Sequence, residues 1–399
     1  MQGYWRGRTR LWTVAGLWTG VLLVGFDLYA GAVAFIPQYR FRNDFRLVYG
    51  AALAGWTHGY SHLYDLAAQK AATEGLEAGI YWQPFINPPP LTWLATPLLA
   101  IPFDAAILVW SALLLVAALL AWRLVAPGAW LTRVAHLALF AGLFPTAFGL
   151  MVGQPMALVA AAVATSWWLA EHKRAVLSGL VLSLIVLKPQ LALLVPLCLL
   201  VAGRWRIFWA WLVASAVIGV IALAMLGVDG VQRYRDVLSL ASQWSGTRSF
   251  AVAGPLGLGP QLYVVEAIVV AVAAFGAWHH RHEDVGRLFA TGIVASLLFT
   301  PYVGFQDFAM LVLAGWFVIR SGASAFQVAL MVVGYALLEL ALVVMAMPIL
   351  LAEALFLLSL AWSRRWDSNP RPATYEAAAL PAELRRREVS PKVGEAKKP

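Results

Sequence analysis

Long apolar runs recur along the chain from Leu11 almost to Trp362, interrupted at short intervals by Arg, Lys, Pro and Gly. Cutting the runs at those positions predicts helices near 11–34, 104–122, 134–150, 155–170, 175–187, 190–202, 207–226, 261–278, 287–300, 306–319, 325–344 and 347–362. A helix needs about 20 residues to cross a hydrocarbon core of about 30 Å, so the pattern predicts an all-α polytopic membrane protein with about 12 crossings, in a range of about 10–13. The segments 175–187 and 190–202 are too short to cross singly. They read as paired half-crossings that open into a protein-lined cavity, because broken backbone at membrane depth is tolerated only there. The run Leu91 to Phe103 is an alternative crossing that would invert everything after it; the distribution of charge argues against it.

Residues 35–103 form the only long non-hydrophobic stretch before the tail. Within it, Phe45 to about Ala54 and Leu63 to Leu76 predict short amphipathic helices lying along the interface, with Trp56, Tyr60, Tyr64, Tyr81 and Trp82 at headgroup level. Pro84 and the run Pro88, Pro89, Pro90 impose an extended entry into Leu91 onward. Arg6, Arg8 and Arg10 ahead of Leu11 to about Ala34 have the charge order of a signal peptide, but the apolar stretch is too long for one, so an uncleaved first span is expected. The chain therefore divides into a membrane domain, 1–362, and a tail, 363–399. The tail is charged and contains Pro, which predicts disorder. Its run from Trp366 through Arg386 resembles peptide strings produced when a reading frame continues into an adjacent transfer-RNA gene. A gene-model artefact or unselected extension is expected, the alternative being a basic cytoplasmic tail on anionic lipid.

Composition supports the membrane assignment: 61% of the 399 residues are hydrophobic and 12% charged, against about 45–50% and about 25% in soluble domains. The net charge of +9 lies in short loops and the tail, so it reads as orientation and lipid-headgroup contact rather than nucleic-acid binding. With both termini cytoplasmic in the cell (inner) membrane, every short inside loop is basic: Arg123 and Arg133, Lys173 and Arg174, Arg204 and Arg206, Arg281 and Arg287, Arg320, then Arg364 and Arg365. The outside segments hold Asp44, Asp65, Glu74, Glu77, Asp229, Asp236 and Asp307, which roughly balance their basic residues. Cys198 is the only cysteine, which excludes an intramolecular disulfide framework and a cysteine zinc site.

Asp44 stands beyond the first span among Arg40, Arg42 and Arg46. A carboxylate ringed by arginines suits a general base beside a phosphate-bearing substrate, with an arginine or Lys188 stabilising the departing phosphate. The same residues read equally well as a solvated cluster holding lipid headgroups. Lys188, between Leu187 and Pro189-Gln190, interrupts an apolar run, where a lysine costs about 2.5–3.5 kcal/mol at a helix centre. Either a partner such as a lipid phosphate compensates it, or it snorkels to the interface. Gln154 in Gly153-Gln154-Pro155, and Tyr302, Gln306 and Asp307, fall in expected outside turns on the same face as Asp44. His58, His62 and Asp65 have helical spacing for metal ligands, but no metal is expected there, and His279, His280 and His282 read as a solvated loop. No Asp-x-Asp and no phosphate-cradling Gly-rich loop occurs, which disfavours a metal-dependent nucleotide-sugar site.

These residues together resemble glycosyltransferase family 87, polytopic GT-C enzymes that include polyprenol-phosphate-mannose-dependent mannosyltransferases. The resemblance is carried by Asp44-Phe45, Gly59 to Leu63-Tyr64-Asp65, Pro88-Pro89-Pro90 with Pro97 and Pro102, Gly153-Gln154-Pro155, Leu187-Lys188-Pro189-Gln190 and Thr300-Pro301-Tyr302. It implies a GT-C fold and a polyprenyl-phosphate-linked hexose donor, with mannose favoured. The acceptor is a lipid or glycan on the extracytoplasmic face, and transfer inverts the anomeric centre without a cofactor. Asp44 takes the base role, Lys188, Arg40, Arg42 and Arg46 meet the donor phosphate, and Gln154, Gln190, Tyr302, Gln306, Asp307 and Tyr64 contact substrate. The sequence departs from the family pattern at Phe85-Ile86-Asn87 and at Gln306. A transporter or lipid flippase is the first rival, with Asp27, Glu266, Glu339 and Glu353 as intramembrane acids but no repeated halves. A polysaccharide ligase or polymerase centred on 227–260 is the second.

Overall fold

The computed structural model describes residues 2–39, 41–76, 82–244, 248–341 and 346–362, with side chains described from Arg10 onward except that of Tyr39. Arg40, Glu77, Tyr81 and the tail 363–399 lie outside the described residues. Every regular element among the described residues is helical. In chain order they are α1 Gln2–Ala30, α2 Ile36–Tyr39, α3 Asn43–His58, α4 Leu66–Glu74, α5 Pro90–Ala95, α6 Phe103–Val125, α7 Trp130–Ala141, α8 Phe144–Val152 and α9 Met156–Glu171. They continue with α10 Ala175–Leu182, α11 Val195–Val201, α12 Trp205–Ser242, α13 Ala253–Leu256, α14 Pro260–His279, α15 Val285–Phe299, α16 Ala309–Arg320, α17 Ala325–Glu339 and α18 Ala346–Trp362.

Among the described residues, four helices are long and apolar enough to cross a membrane, five if the bent pair α7–α8 is one span. The other expected spans form shorter apolar helices; at about 1.5 Å per residue a 15-residue helix reaches only about 22 Å. The bend of 65° between α7 and α8 falls at Gly142 and Leu143, with Pro145 in the first turn of α8. Helix α12 breaks at Gly227, whose φ of 63° and ψ of −176° are non-helical. Only glycine takes that backbone geometry without strain, so the apolar half ends where the apolar run of the sequence ends. Leu91 to Phe103 forms two short pieces, α5 and a 3-10 turn over Thr96–Ala100, too short to cross.

Helix α15 is buried from Val285 to Leu298, with apolar residues on nearly every side and Arg287, Thr291 and Ser296 as its buried polar ones. It packs against α11, α14, α16 and α18. Beside it, α10 and α11 are joined through 3-10 turns at Ser183–Leu187 and Pro189–Leu191. Their freed backbone groups find partners inside the protein: Leu194 N–H donates to Ser296 Oγ on α15 at 2.8 Å. Large apolar side chains such as Leu11, Trp18, Phe26, Leu108, Val116, Val220 and Tyr263 stay exposed on the outer surfaces of α1, α6, α12 and α14. A bilayer can cover such surfaces; water would penalise them.

The segment between α2 and α6 departs from a pair of interfacial helices. Phe45, Val48, Ala51 and Ala52 of α3 are buried in the core, Phe45 stacking on Trp110 of α6 at 4.8 Å. Gln69 of α4 ties Phe85 to the turn ahead of the helix, donating to Leu63 O at 2.8 Å and accepting from Phe85 N–H at 2.9 Å. The loop between α14 and α15 also differs from a solvated turn: His280 is buried and lies 3.0 Å from Glu283, which also meets buried Arg287 at 3.3 Å.

Candidate functional site

Asp44 sits in the first turn of α3, where the helix dipole favours negative charge. The turn is fixed by Arg42, which adopts a left-handed conformation with φ of 60° and donates its backbone N–H to Met151 O of α8 at 2.9 Å. A non-glycine residue held this way carries strain that its surroundings must hold in place. Helix α8 closes at Gly153, φ 85°, with Gln154 N–H returning to Gly149 O at 2.9 Å. A Cβ on Gly153 would stand 3.0 Å from Phe45 Cβ, and Trp110 Nε1 donates to Gly153 O at 2.9 Å. Both the left-handed backbone and the close approach of Phe45 thus favour glycine, and Gln154 is delivered beside Asp44.

Four polar side chains from four separate segments then join in one chain. Asp307 Oδ1 meets Lys188 Nζ at 2.5 Å. Lys188 Nζ donates to Gln154 Oε1 at 2.8 Å, and Gln154 Nε2 donates to Asp44 Oδ2. An ammonium has no acceptor to offer, so Lys188 can only face the amide oxygen, and the amide nitrogen is thereby turned to Asp44. Asp307 is completely buried, and its Oδ2 accepts from Gly304 N–H at 3.0 Å. The cost of burying Lys188 is met from within the chain by Asp307 and Gln154.

Asp44 remains half-buried. Burial pushes its carboxyl above the usual carboxylate range, with Asp307 adding in the same direction, while Gln154, Lys188 and Asn43 pull it down. Asn43, which sequence reasoning passed over, is buried with its Oδ1 unpartnered. Its position immediately before the acid was the only available signal. Arg42 donates Nε to Ser111 Oγ at 2.8 Å but leaves Nη1 buried without a partner. Arg46 donates Nε to Phe41 O at 3.3 Å and lies over the Phe103 ring at 5.1 Å. The group therefore combines a reachable carboxylate of raised proton affinity with cationic donors, chemistry suited to taking a proton beside an anion.

Other sequence candidates lie around this chain or away from it. Gln190, Tyr302 and Gln306 are half-buried, and Gln306 Cβ is 2.9 Å from where a Cβ on Gly149 would stand, so it packs on α8. Tyr64 is buried between Phe85 and Tyr234 in a stack with centroid distances of 5.9 and 4.3 Å. Its hydroxyl donates to Asn87 O at 2.7 Å, which ties the proline-rich stretch down. Arg40 falls outside the described residues. His58 and His62 approach only to a ring-centroid distance of 6.3 Å, and no cluster of three His, Cys, Asp or Glu gathers among the described residues.

A family model described as Glycosyltransferase family 87 matches residues 85–301, more than half of the chain, and the chain belongs to that family. The match covers Gln154 and Lys188 and stops short of Asp44 and Asp307. No curated protein and no solved structure matches the chain. Family and apolar helices together make this a membrane glycosyltransferase.

Proposed function

We propose that this member of glycosyltransferase family 87 transfers a hexose, with mannose favoured, from a polyprenyl-phosphate donor to a lipid or glycan acceptor. The reaction takes place on the extracytoplasmic face of the inner membrane, in a GT-C-type fold of about 12 crossings with both termini cytoplasmic. The observation that carries this reading is the hydrogen-bonded chain Asp44, Gln154, Lys188, Asp307, which links a half-buried carboxylate to a buried ammonium.

Asp44 takes the proton from the acceptor hydroxyl as its oxygen attacks the anomeric carbon. The bond to the donor phosphate breaks on the opposite side, so configuration inverts and the electron pair leaves with the phosphate. Gln154 holds Asp44 in place, its own orientation set by Lys188. Lys188 has three N–H donors and uses two on Gln154 and Asp307, leaving the third for a phosphate oxygen. Arg42, through its unpartnered Nη1, shares that phosphate with Arg46, and Arg40 is assigned to it from its place in the sequence. Asp307 acts through Lys188. Gln190, Tyr302 and Gln306 border the acceptor, and Tyr64 supports the site through Asn87. Phosphate is already a good leaving group, so the reading needs no metal and no cofactor, and orienting the two substrates supplies several kcal/mol.

The test is sugar transfer by purified protein in vesicles, with a panel of polyprenyl-phosphate sugars and an envelope lipid extract as acceptor. Asp44→Asn should slow transfer by about 10²–10⁴-fold. Full activity in the variant would remove Asp44 from the base role. No transfer by either folded protein would turn the reading toward transport.

A further inference from the structure

Away from the chain of polar residues, a half-open cavity of about 150 Å³ lies among α7, α16, α17 and α18. Its walls are apolar, Leu311, Met331 and Phe356 among them, apart from His136, Tyr335 and Glu353. The Tyr335 hydroxyl is already committed, donating to Leu139 O at 2.8 Å. Glu353 is 3% exposed, and neither of its carboxylate oxygens has a hydrogen-bond partner. Among the described residues, no Lys or Arg lines the cavity. A carboxyl inside a bundle of membrane helices is expensive unless something answers it. Three of the four bounding helices follow residue 301, beyond the matched family segment.

We propose that this cavity binds an amphiphile made of a single alkyl chain headed by a primary ammonium, the ammonium pairing with Glu353. Charge selects the head: what the walls lack is a hydrogen-bond-donating cation, and an ammonium supplies both the charge and the donors. Volume selects the tail: a cavity of about this size takes a benzene-sized apolar group, which admits one chain at its mouth and not two. Leu311 and Val312 follow Asp307 by four and five residues and lie in the first turn of α16, so an occupant would press on the helix that begins just after the Lys188 counter-charge.

The experiment is native mass spectrometry of the full chain released from detergent in the presence of dodecylamine, dodecanol or dodecanoic acid. Wild type should retain the amine roughly tenfold more tightly than the alcohol or the acid. Glu353→Gln, which keeps the shape and removes the charge, should erase that preference. Gly334 lines the cavity, and a Cβ there would meet nothing within 4 Å. Gly334→Leu should therefore fill the space and lose the amine while leaving Glu353 in place. Thermal unfolding confirms that each variant is folded. Equal retention of all three amphiphiles by wild type, or an amine preference that survives either substitution, would overturn the proposal.

Discussion

Lys188 and Glu353 are each 3% exposed and each sits in apolar surroundings, yet they are provided for differently. Lys188 meets a carboxylate at 2.5 Å and an amide oxygen at 2.8 Å; Glu353 meets nothing. The lysine is built into a rigid constellation whose partners come from distant parts of the chain, so its position is determined before any substrate arrives. The glutamate has space beside it instead of partners. Burial alone therefore does not identify what a charged group does in this protein; the state of its hydrogen bonds does.

The largest effect should come from breaking the satisfied half of this comparison. Lys188→Met strands Asp307 as an uncompensated buried charge, and stability should fall by about 3–5 kcal/mol, read as a lowered unfolding temperature in detergent. Pairing it with Asp307→Leu should recover most of the loss; if the double variant is as unstable as the single one, the counter-charge account fails. Next, Gln154→Leu removes the hydrogen bond to Asp44, worth about 1.5–3 kcal/mol for a charged acceptor, and kcat/KM should fall roughly 10–100-fold. The base works when ionised, so activity declines as pH falls through the Asp44 pKa, which burial has already raised. Gln154 stabilises the ionised form, and its loss should move that acid limb to higher pH, with Lys188 and Asp307 the charged groups facing Asp44. A purely structural Gln154 would lower the plateau and leave the limb in place.

Smaller effects sharpen the contrast. Gly153→Ala puts a side chain on a left-handed residue and against Phe45, which should cost about 1–3 kcal/mol and reduce transfer by displacing Gln154. Glu353→Leu should do the opposite of Lys188→Met: removing an unanswered carboxyl stabilises the protein by about 1 kcal/mol, measured by the same thermal unfolding. A marked loss of stability would mean that Glu353 is satisfied after all and that the two residues are alike.

Much of this was legible in the sequence. The apolar runs fall on α1, α6 to α12 and α14 to α18, and the run ending at 226 stops one residue before the Gly227 break. Gln154, Lys188 and Asp307 stand out as polar residues at the edges of such runs, and Asp44 as an acid among arginines beyond the first of them. Their bonding to one another did not follow, because the partner of Lys188 lies 119 residues away and hydropathy carries no pairing information. The burial of α3 was hidden for a related reason: its alanines and glycines read as weakly amphipathic, while close packing against α4 and α5 decides their environment. Tyr64 and His280 were misplaced by residue type, since aromatic and ionisable side chains take surface or core positions according to whether a partner such as Asn87 O or Glu283 is within reach. The bend between α7 and α8 was marked by Gly142 and Pro145, signals the apolar run conceals.

The separation of Lys188 from Asp307 also has a meaning in time. At roughly 5–20 residues per second of synthesis, the lysine emerges about 6–24 s before its carboxylate. Through that interval the short helices α10 and α11 on either side of it have no counter-charge to close upon, and they become secured late, when the turn carrying Asp307 is delivered. Chains arrested before residue 307 should accordingly leave Lys188 open to a membrane-impermeant amine reagent, and completed chains should protect it.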